Sequence, residues 1–223
     1  MGRPAYIVKQ VQTGGIEAKE IATRLSKEIG FATAKVPAED LVQANSLVDV
    51  GFRVVDCALT FSKSAEGAQE CASTREAIPG DESRVREIAG SAFRCSRFHL
   101  DPFISNTLAN IIKADWAGNF FKGLRGNAML IAEVDGMVAG FCQLIIRDSK
   151  AVIDLIAVAP SFSRRGLARN LIASITACAA RKSLPVQSLV VGTQAANTPS
   201  VNLYESLGFR LVSSTLVLHH TAP

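Results

Sequence analysis

Leu155-Ile156-Ala157-Val158-Ala159-Pro160, followed by Ser163-Arg164-Arg165-Gly166-Leu167-Ala168, is the stretch that decides the fold. An apolar, β-prone run stops at Pro160, and after Gly166 apolar residues recur at helical spacing as far as about Arg181. A strand is thus joined to a helix through a turn that holds a glycine and two arginines. Such a turn aims unpaired backbone N–H groups at one point, and the helix dipole adds partial positive charge there. The arrangement suits an anion such as a pyrophosphate. Gly166 and Ala168 are small where backbone and phosphate would touch, and Arg164, Arg165 and Arg169 bring charge nearby.

Outward from this turn the pattern is alternately strand and helix. Upstream, Met129 to Val134 and Met137 to Ile146 read as a hairpin across Asp135-Gly136, a favoured two-residue turn. A helical region around Leu108 to Phe121 carries the single tryptophan, and Pro79-Gly80-Asp81 caps a helix from Glu82 to Phe93 behind a short strand at Thr74 to Ala77. Downstream come a strand at Val186 to Val191, a helix at Pro199 to Leu207 ending on Gly208, and a last strand at Arg210 to Leu218. The N-terminal part supplies strands at Ala5 to Val11, Phe31 to Val36 and Val54 to Phe61. Between them lie helices at Ile16 to Ile29 and from Glu39 or Asp40 to Gly51. The order of elements predicts an α/β architecture.

The 223 residues are 48% apolar and 20% charged, which excludes a chain disordered throughout. A net charge of +4 suits an anionic small molecule and lacks the dense basic stripe of a nucleic-acid binder. Five scattered cysteines without a CxxC pair read as reduced thiols of a cytoplasmic protein, and no metal-ligand spacing joins them to the three histidines. Neither a signal peptide nor an apolar run long enough for a membrane span is visible. The reading is therefore a soluble protein that works without metal, nucleic acid or membrane and is compatible with a homodimer.

The chain also repeats itself. Gly51-Phe52-Arg53-Val54-Val55 with Leu59 matches Gly208-Phe209-Arg210-Leu211-Val212 with Leu216 at a constant offset of 157 residues, and Asn45 falls on Asn202. Residues 1–61 then read as a degenerate half of the fold completed in 74–223, with the small, polar stretch 62–73 as linker. Two similar helix–glycine–strand units could also arise by chance, and spacing leaves that alternative open.

Val158-Ala159-Pro160, Arg164-Arg165-Gly166-Leu167-Ala168, Asn197 and Leu203-Tyr204-Glu205-Ser206-Leu207-Gly208-Phe209 together resemble the GNAT acetyltransferases, as does Arg75-Glu76-Ala77 with Asp81. The resemblance spans about residues 74–218. One departure is Ser163, where the family usually has Gln or Arg. The resemblance implies a mixed, splayed central sheet flanked by helices, with a half-GNAT-like subdomain in front. It also implies acetyl-CoA as co-substrate and direct transfer to a primary amine of a small molecule. The cofactor would lie along Ile156, Ala157 and Val158, with its pyrophosphate on Arg164, Arg165, Gly166, Leu167, Ala168 and Arg169, and Asn197 and Tyr204 would contact it. The Val158 amide would polarise the thioester carbonyl.

Acetyl transfer needs a neutral amine, a base for its proton and an acid for the departing thiolate. Tyr204 is the expected acid, since a phenol near pKa 10 protonates a thiolate of similar basicity with little penalty. No cysteine sits beside a histidine or at a helix start, which favours direct transfer over an acyl-enzyme. A narrower resemblance concerns the dTDP-fucosamine acetyltransferases. It rests on Ala92-Phe93 with Ser96-Arg97-Phe98, on Gly51 to Asp56, and on Asn197-Thr198 with Tyr204. It implies a nucleotide-linked amino-deoxy sugar as acceptor, Asp56 as base, and Ser96 and Arg97 as acceptor contacts. Leu203 departs from the basic residue found there. A protein or peptide N-acetyltransferase, and a non-catalytic acetyl-CoA-binding module, remain as alternative readings.

Overall fold

The alternating apolar runs close into one mixed sheet of nine strands, seen in a computed structural model that describes residues 5–8, 30–65, 67 and 69–221. The strands are β1 (Ala5–Val8), β2 (Phe31–Pro37), β3 (Arg53–Ser64), β4 (Thr74–Glu76), β5 (Ala128–Val134), β6 (Met137–Arg147), β7 (Lys150–Val158), β8 (Ser188–Gln194) and β9 (Arg210–Thr221). Their order across the sheet is β1-β2-β9-β3-β8-β7-β6-β5-β4. The helices are α1 (Leu41–Asp49), α2 (Glu82–Ala92), α3 (Arg97–Leu100), α4 (Asn106–Gly118), α5 (Leu167–Ala173), α6 (Ile175–Arg181) and α7 (Thr198–Ser206). The expected helix at Ile16 to Ile29, and the end of the first strand, lie outside the described residues.

Local chemistry explains the joints. Asp135 and Gly136 adopt φ of 51° and 74°, the paired positive values that let a two-residue turn follow the twist of β5 and β6. Ser105 caps α4 by accepting from the Leu108 amide at 3.2 Å. Three local expectations differ. Asp81 does not cap α2; Arg75 grips its carboxylate at 2.8 and 3.0 Å and the Ile78 amide donates to it at 2.8 Å, so it staples β4 to the turn instead. The helix after Gly166 is interrupted at Ser174, whose hydroxyl bonds Thr74 Oγ1 at 2.8 Å and accepts from the Cys71 amide at 3.3 Å. β3 runs on to Ser64, three residues into the stretch read as linker.

The repeat organises β1, β2 and β3 together with β7, β8 and β9. An offset of 157 residues carries β2 onto β8, α1 onto α7 and β3 onto β9, each from first residue to last. β1 pairs parallel to β2 as β7 pairs parallel to β8, with Ala5↔Phe31 matching Lys150↔Ser188. Equivalent residues Ala58 and Thr215 face each other where β3 meets β9. A local two-fold relation therefore passes between these two strands. Each half also lends its last strand to the other, since β3 lies against β8 while β9 lies against β2. Gly51 (φ 95°) and Gly208 (φ 81°) end the equivalent helices, and Phe52 and Phe209 follow them into the core, each 1% exposed.

Helices cover the sheet over three apolar clusters. α5, α6 and α7 pack one face around Phe61, Leu171 and Phe209; α2 and α4 pack on Met129, Ile131 and Phe141; and α1 closes Ala34, Val36 and Phe52. Burial of the three phenylalanines Phe52, Phe61 and Phe209 contributes about 1.5–3 kcal/mol each. In the first cluster Tyr204 sits between Phe61 and Phe209, with ring centroids 6.1 and 5.7 Å away.

Candidate active site

The site begins with two bulges. In the β6–β7 pairing Ile153 opposes Leu144 and Leu155 opposes Gln143, which leaves Asp154 as the extra residue. One extra residue flips the side-chain alternation. Ala151 and Ile153 face α5 and α6, whereas Leu155 and Ala157 face α2 and α4. At the same point β7 leaves β8: their pairing stops at Ile153↔Val191, and the strands diverge beyond it. The Ala159 amide donates to Ala139 O at 2.8 Å, toward β6. By strand alternation the Val158 amide looks the opposite way, into the splay.

The second bulge is in β3. Val54 pairs with Leu218 and Asp56 with Val217, so Val55 is extra and two consecutive residues turn inward. Asp56, 5% exposed, is thereby aimed into a cleft of about 790 Å³ that reaches from the splay to β2. Neither Asp56 oxygen is held at good hydrogen-bond geometry among the described residues, although the Cys57 amide and the Gln194 side chain approach it. Burial raises its pKa to about 6, against the opposing pull of the nearby Cys57 amide, Arg97, Gln194 and Lys35.

Tyr204 lines the same cleft from α7, 3% exposed, and burial pushes its phenol above the ordinary value. Asn197 caps α7 by accepting from the Ser200 amide at 3.4 Å and also borders the cleft. Ile156, Ser96 and Arg97 complete the expected residues that meet there. The loop bearing Ser96 and Arg97 is pinned twice. Ser96 Oγ lies 2.7 Å from His99 Nδ1, whose Nε2 lies 2.9 Å from Asn110 Oδ1 on α4. At its other end Asp101 accepts from His219 Nδ1 on β9 at 2.8 Å, both side chains fully buried, and from the Phe103 amide at 2.9 Å. Asp101→Ala leaves His219 without its partner, so a loss of about 1–3 kcal/mol is expected, measured by chemical denaturation.

The remaining expected residues do not line this cleft. Arg164, Arg165, Gly166 and Arg169 form an exposed turn beyond β7, with Ala168 partly buried. Arg164 (φ 62°) and Gly166 (φ 78°) curl the chain back before α5, and a Cβ on Gly166 would meet nothing within 4 Å. It is therefore the positive φ that asks for glycine. Leu167 and the Ala157 side chain are buried in the core, so only their main chain is available to a ligand. Arg165 lies over the Phe162 ring at 5.3 Å, and Arg169 donates to Ser206 Oγ at 3.1 Å.

Sequence reasoning missed a group at the mouth of the splay. Asp154 accepts from Arg125 twice at 2.6 Å, from Gln143 at 2.8 Å and from the Trp116 indole at 3.1 Å. Lys113, 8% exposed, lies beside it between Phe93 and Trp116. The lone Asp in the apolar run from Ala151 to Val158 was the available signal. Among the described residues no cluster of His, Cys, Asp and Glu could hold a metal, and no helix is long and apolar enough to cross a membrane.

Comparison with known proteins agrees with this geometry. The chain is 32% identical over 141 residues to the spore coat polysaccharide biosynthesis protein SpsD of Bacillus subtilis. The match covers 63% of this chain and 48% of that protein, so the chain spans about half the length of this relative. Two solved structures share the fold. A functionally unknown conserved protein of Staphylococcus epidermidis superposes with TM-score 0.72 at 15% identity, covering 97% of this chain and 84% of that one. An acetyltransferase of Novosphingobium aromaticivorans gives TM-score 0.56 at 18% identity, covering 93% and 81%. A family model described as the acetyltransferase (GNAT) family matches residues 85–209, which contain the β7 bulge, the splay, the Gly166 turn and Tyr204. With the mixed, splayed sheet and its flanking helices, this match makes the chain a member of the GNAT acetyltransferase family.

Proposed function

We propose that the chain is an acetyl-CoA-dependent N-acetyltransferase whose acceptor is the amino group of a nucleotide-linked amino-deoxy sugar. One observation carries the reading: a strand of the N-terminal half, β3, brings the buried carboxylate of Asp56 into the cleft that Tyr204 also lines. The name of the Bacillus subtilis relative, a spore coat polysaccharide biosynthesis protein, supports a sugar acceptor. So does the balance of charge in the cleft. Lys35, Arg97, Lys113 and Arg125 outnumber Asp56 and Asp154, which favours an anionic acceptor over a polycationic one.

The residues present fit the co-substrate. Amides of the turn at 164–169, with Arg164 and Arg165, would hold its pyrophosphate, and the open edge of β7 from Ile156 to Val158 would take its pantetheine arm. When bound, acetyl-CoA supplies an acetyl thioester. The Val158 amide is then the donor that stabilises the carbonyl as it becomes tetrahedral. Asp56, ionised above about pH 6, takes the ammonium proton directly or through one water. Tyr204, held protonated by its burial, returns a proton to the departing thiolate. Burial makes the phenol a weaker acid than free tyrosine, but the thiolate leaves into the same poorly solvated space and gains basicity for the same reason.

A panel of amino sugar nucleotides incubated with acetyl-CoA and read by thiol release tests the reading. Turnover with at least one of them is expected. Turnover confined to peptide amines would replace the sugar acceptor. Gly166→Asp sets a carboxylate at the turn, and calorimetry should find acetyl-CoA affinity lowered at least about tenfold in the folded variant. Unchanged affinity would move the pyrophosphate elsewhere.

A further inference from the structure

One buried and one half-buried cation, Lys113 and Arg97, face the cleft without a hydrogen-bonded acid to match them. Lys113 makes no hydrogen bond or ion pair among the described residues. Its ammonium lies 4.7 Å from the centroids of both Phe93 and Trp116. Arg97 likewise makes none: its Nε is buried without a partner, and its guanidinium lies 4.8 Å from the Phe98 centroid. The carboxylate nearest to Lys113 in role, Asp154, is already taken by Arg125, Gln143 and Trp116. Asp56 attracts Arg97 through space but accepts no hydrogen bond from it.

We infer that Arg97 and Lys113 form a subsite for an oxyanion carried by the acceptor, a phosphoryl or carboxylate group. The inference rests on reading this cleft as the acceptor site. Burying an unpaired cation costs free energy, and two that repel one another cost more. The repulsion is expressed in Lys113, whose pKa is brought down to about 8 by burial first and by Arg97 second. A ligand oxyanion relieves both costs at once. The aromatic faces of Phe93 and Trp116 hold the ammonium in place rather than letting it fold out to water. The planar guanidinium of Arg97 can donate to two oxygens in parallel. α4 sets the first group through the 113/116 spacing, and the Ser96–His99–Asn110 and Asp101–His219 contacts set the loop that carries the second. An acidic group gripped there would orient the acceptor amine toward Asp56 and discriminate against acceptors that carry no acidic group.

Trp116 is the only tryptophan, so its emission reports on this subsite alone. The intact chain is titrated with sodium phosphate and, separately, with sodium succinate, against sodium chloride at matched ionic strength. A saturable emission change with at least one oxyanion is expected, and the tighter of the two identifies the group. In Lys113→Met and in Arg97→Gln the half-saturating concentration should rise about 10–100-fold. Lys113→Met should also keep or raise Tm, because an unpaired buried cation is removed, whereas a purely structural lysine would lower it. No saturable response to either oxyanion, or equal affinity in Lys113→Met, overturns the subsite. The titration uses neither acetyl-CoA nor an amine. Failure to acetylate sugar nucleotides therefore strikes the proposed function alone, and a missing oxyanion response alongside intact transfer strikes the subsite alone.

Discussion

Replacement of Tyr204 by phenylalanine is expected to lower kcat by about 10–1000-fold while leaving acetyl-CoA affinity nearly intact. The ring is held by Phe61 and Phe209 and is 3% exposed, so the substitution keeps the packing and removes only the hydroxyl. An acid that acts only as the thiolate departs contributes to the transition state and not to ground-state binding, which is why kcat should carry the loss. Steady-state kinetics with calorimetric cofactor titration separates the two quantities. Wild-type turnover in Tyr204→Phe would return the residue to a packing role. Cys142 and Cys178 provide the contrast. Both are buried thiols whose pKa is raised by burial, so serine at either position should not remove a nucleophile.

Asp56→Asn is expected to slow acetylation by about 100-fold or more and to change its pH profile. In the wild type kcat/KM should rise with pH through about 6 as Asp56 ionises, and this limb should vanish in the variant. Stability should move the other way. The folded-state pKa is raised above the unfolded value, so the protonated form favours folding below the unfolded pKa. That contribution is lost as pH rises through about 6. At pH 7–8 the ionised carboxylate therefore costs stability, and the neutral amide should leave Tm equal or higher. The pyrophosphate grip should be unaffected, because the turn at 164–169 does not border the cleft around Asp56, so acetyl-CoA affinity should change little although Ile156, Asn197 and Tyr204 share that cleft. Full activity in the variant removes the assignment of Asp56 as base. A lower Tm with a retained acid limb would make it a structural residue.

The swapped arrangement of strands explains why an acid on the N-terminal half can matter at all. β3 stands between β8 and β9, where it forms one wall of the cleft, and β9 takes the equivalent place beside β2. At the position equivalent to Tyr204 the other half has Leu47, 1% exposed, and Asp40 and Asn197 are the equivalent caps of α1 and α7. One half thus brings the Tyr204 hydroxyl to the cleft, while the other has a leucine sealed into its own core.

The sequence by itself determined most of the elements and the turns that join them. Periodicity and turn residues located the hairpin at Asp135-Gly136, the strand stopped by Pro160, the glycine that ends α7 and the turn at Gly166, because each depends on local backbone preferences that neighbours in sequence settle. The offset of 157 residues was also legible, since it needs only comparison of the chain with itself. What pairs with what was not. That β3 leaves its own half to lie between β8 and β9, and that Asp154 and Val55 are bulged, follows from strand pairing between residues far apart in sequence. No local propensity encodes such pairing. The same holds for Lys113, Trp116 and Arg125, which look like ordinary surface residues of a helix and a loop until the sheet brings Asp154 beneath them. Chain-local chemistry fixed the parts, and burial of apolar faces against distant strands decided which charged groups share one cleft.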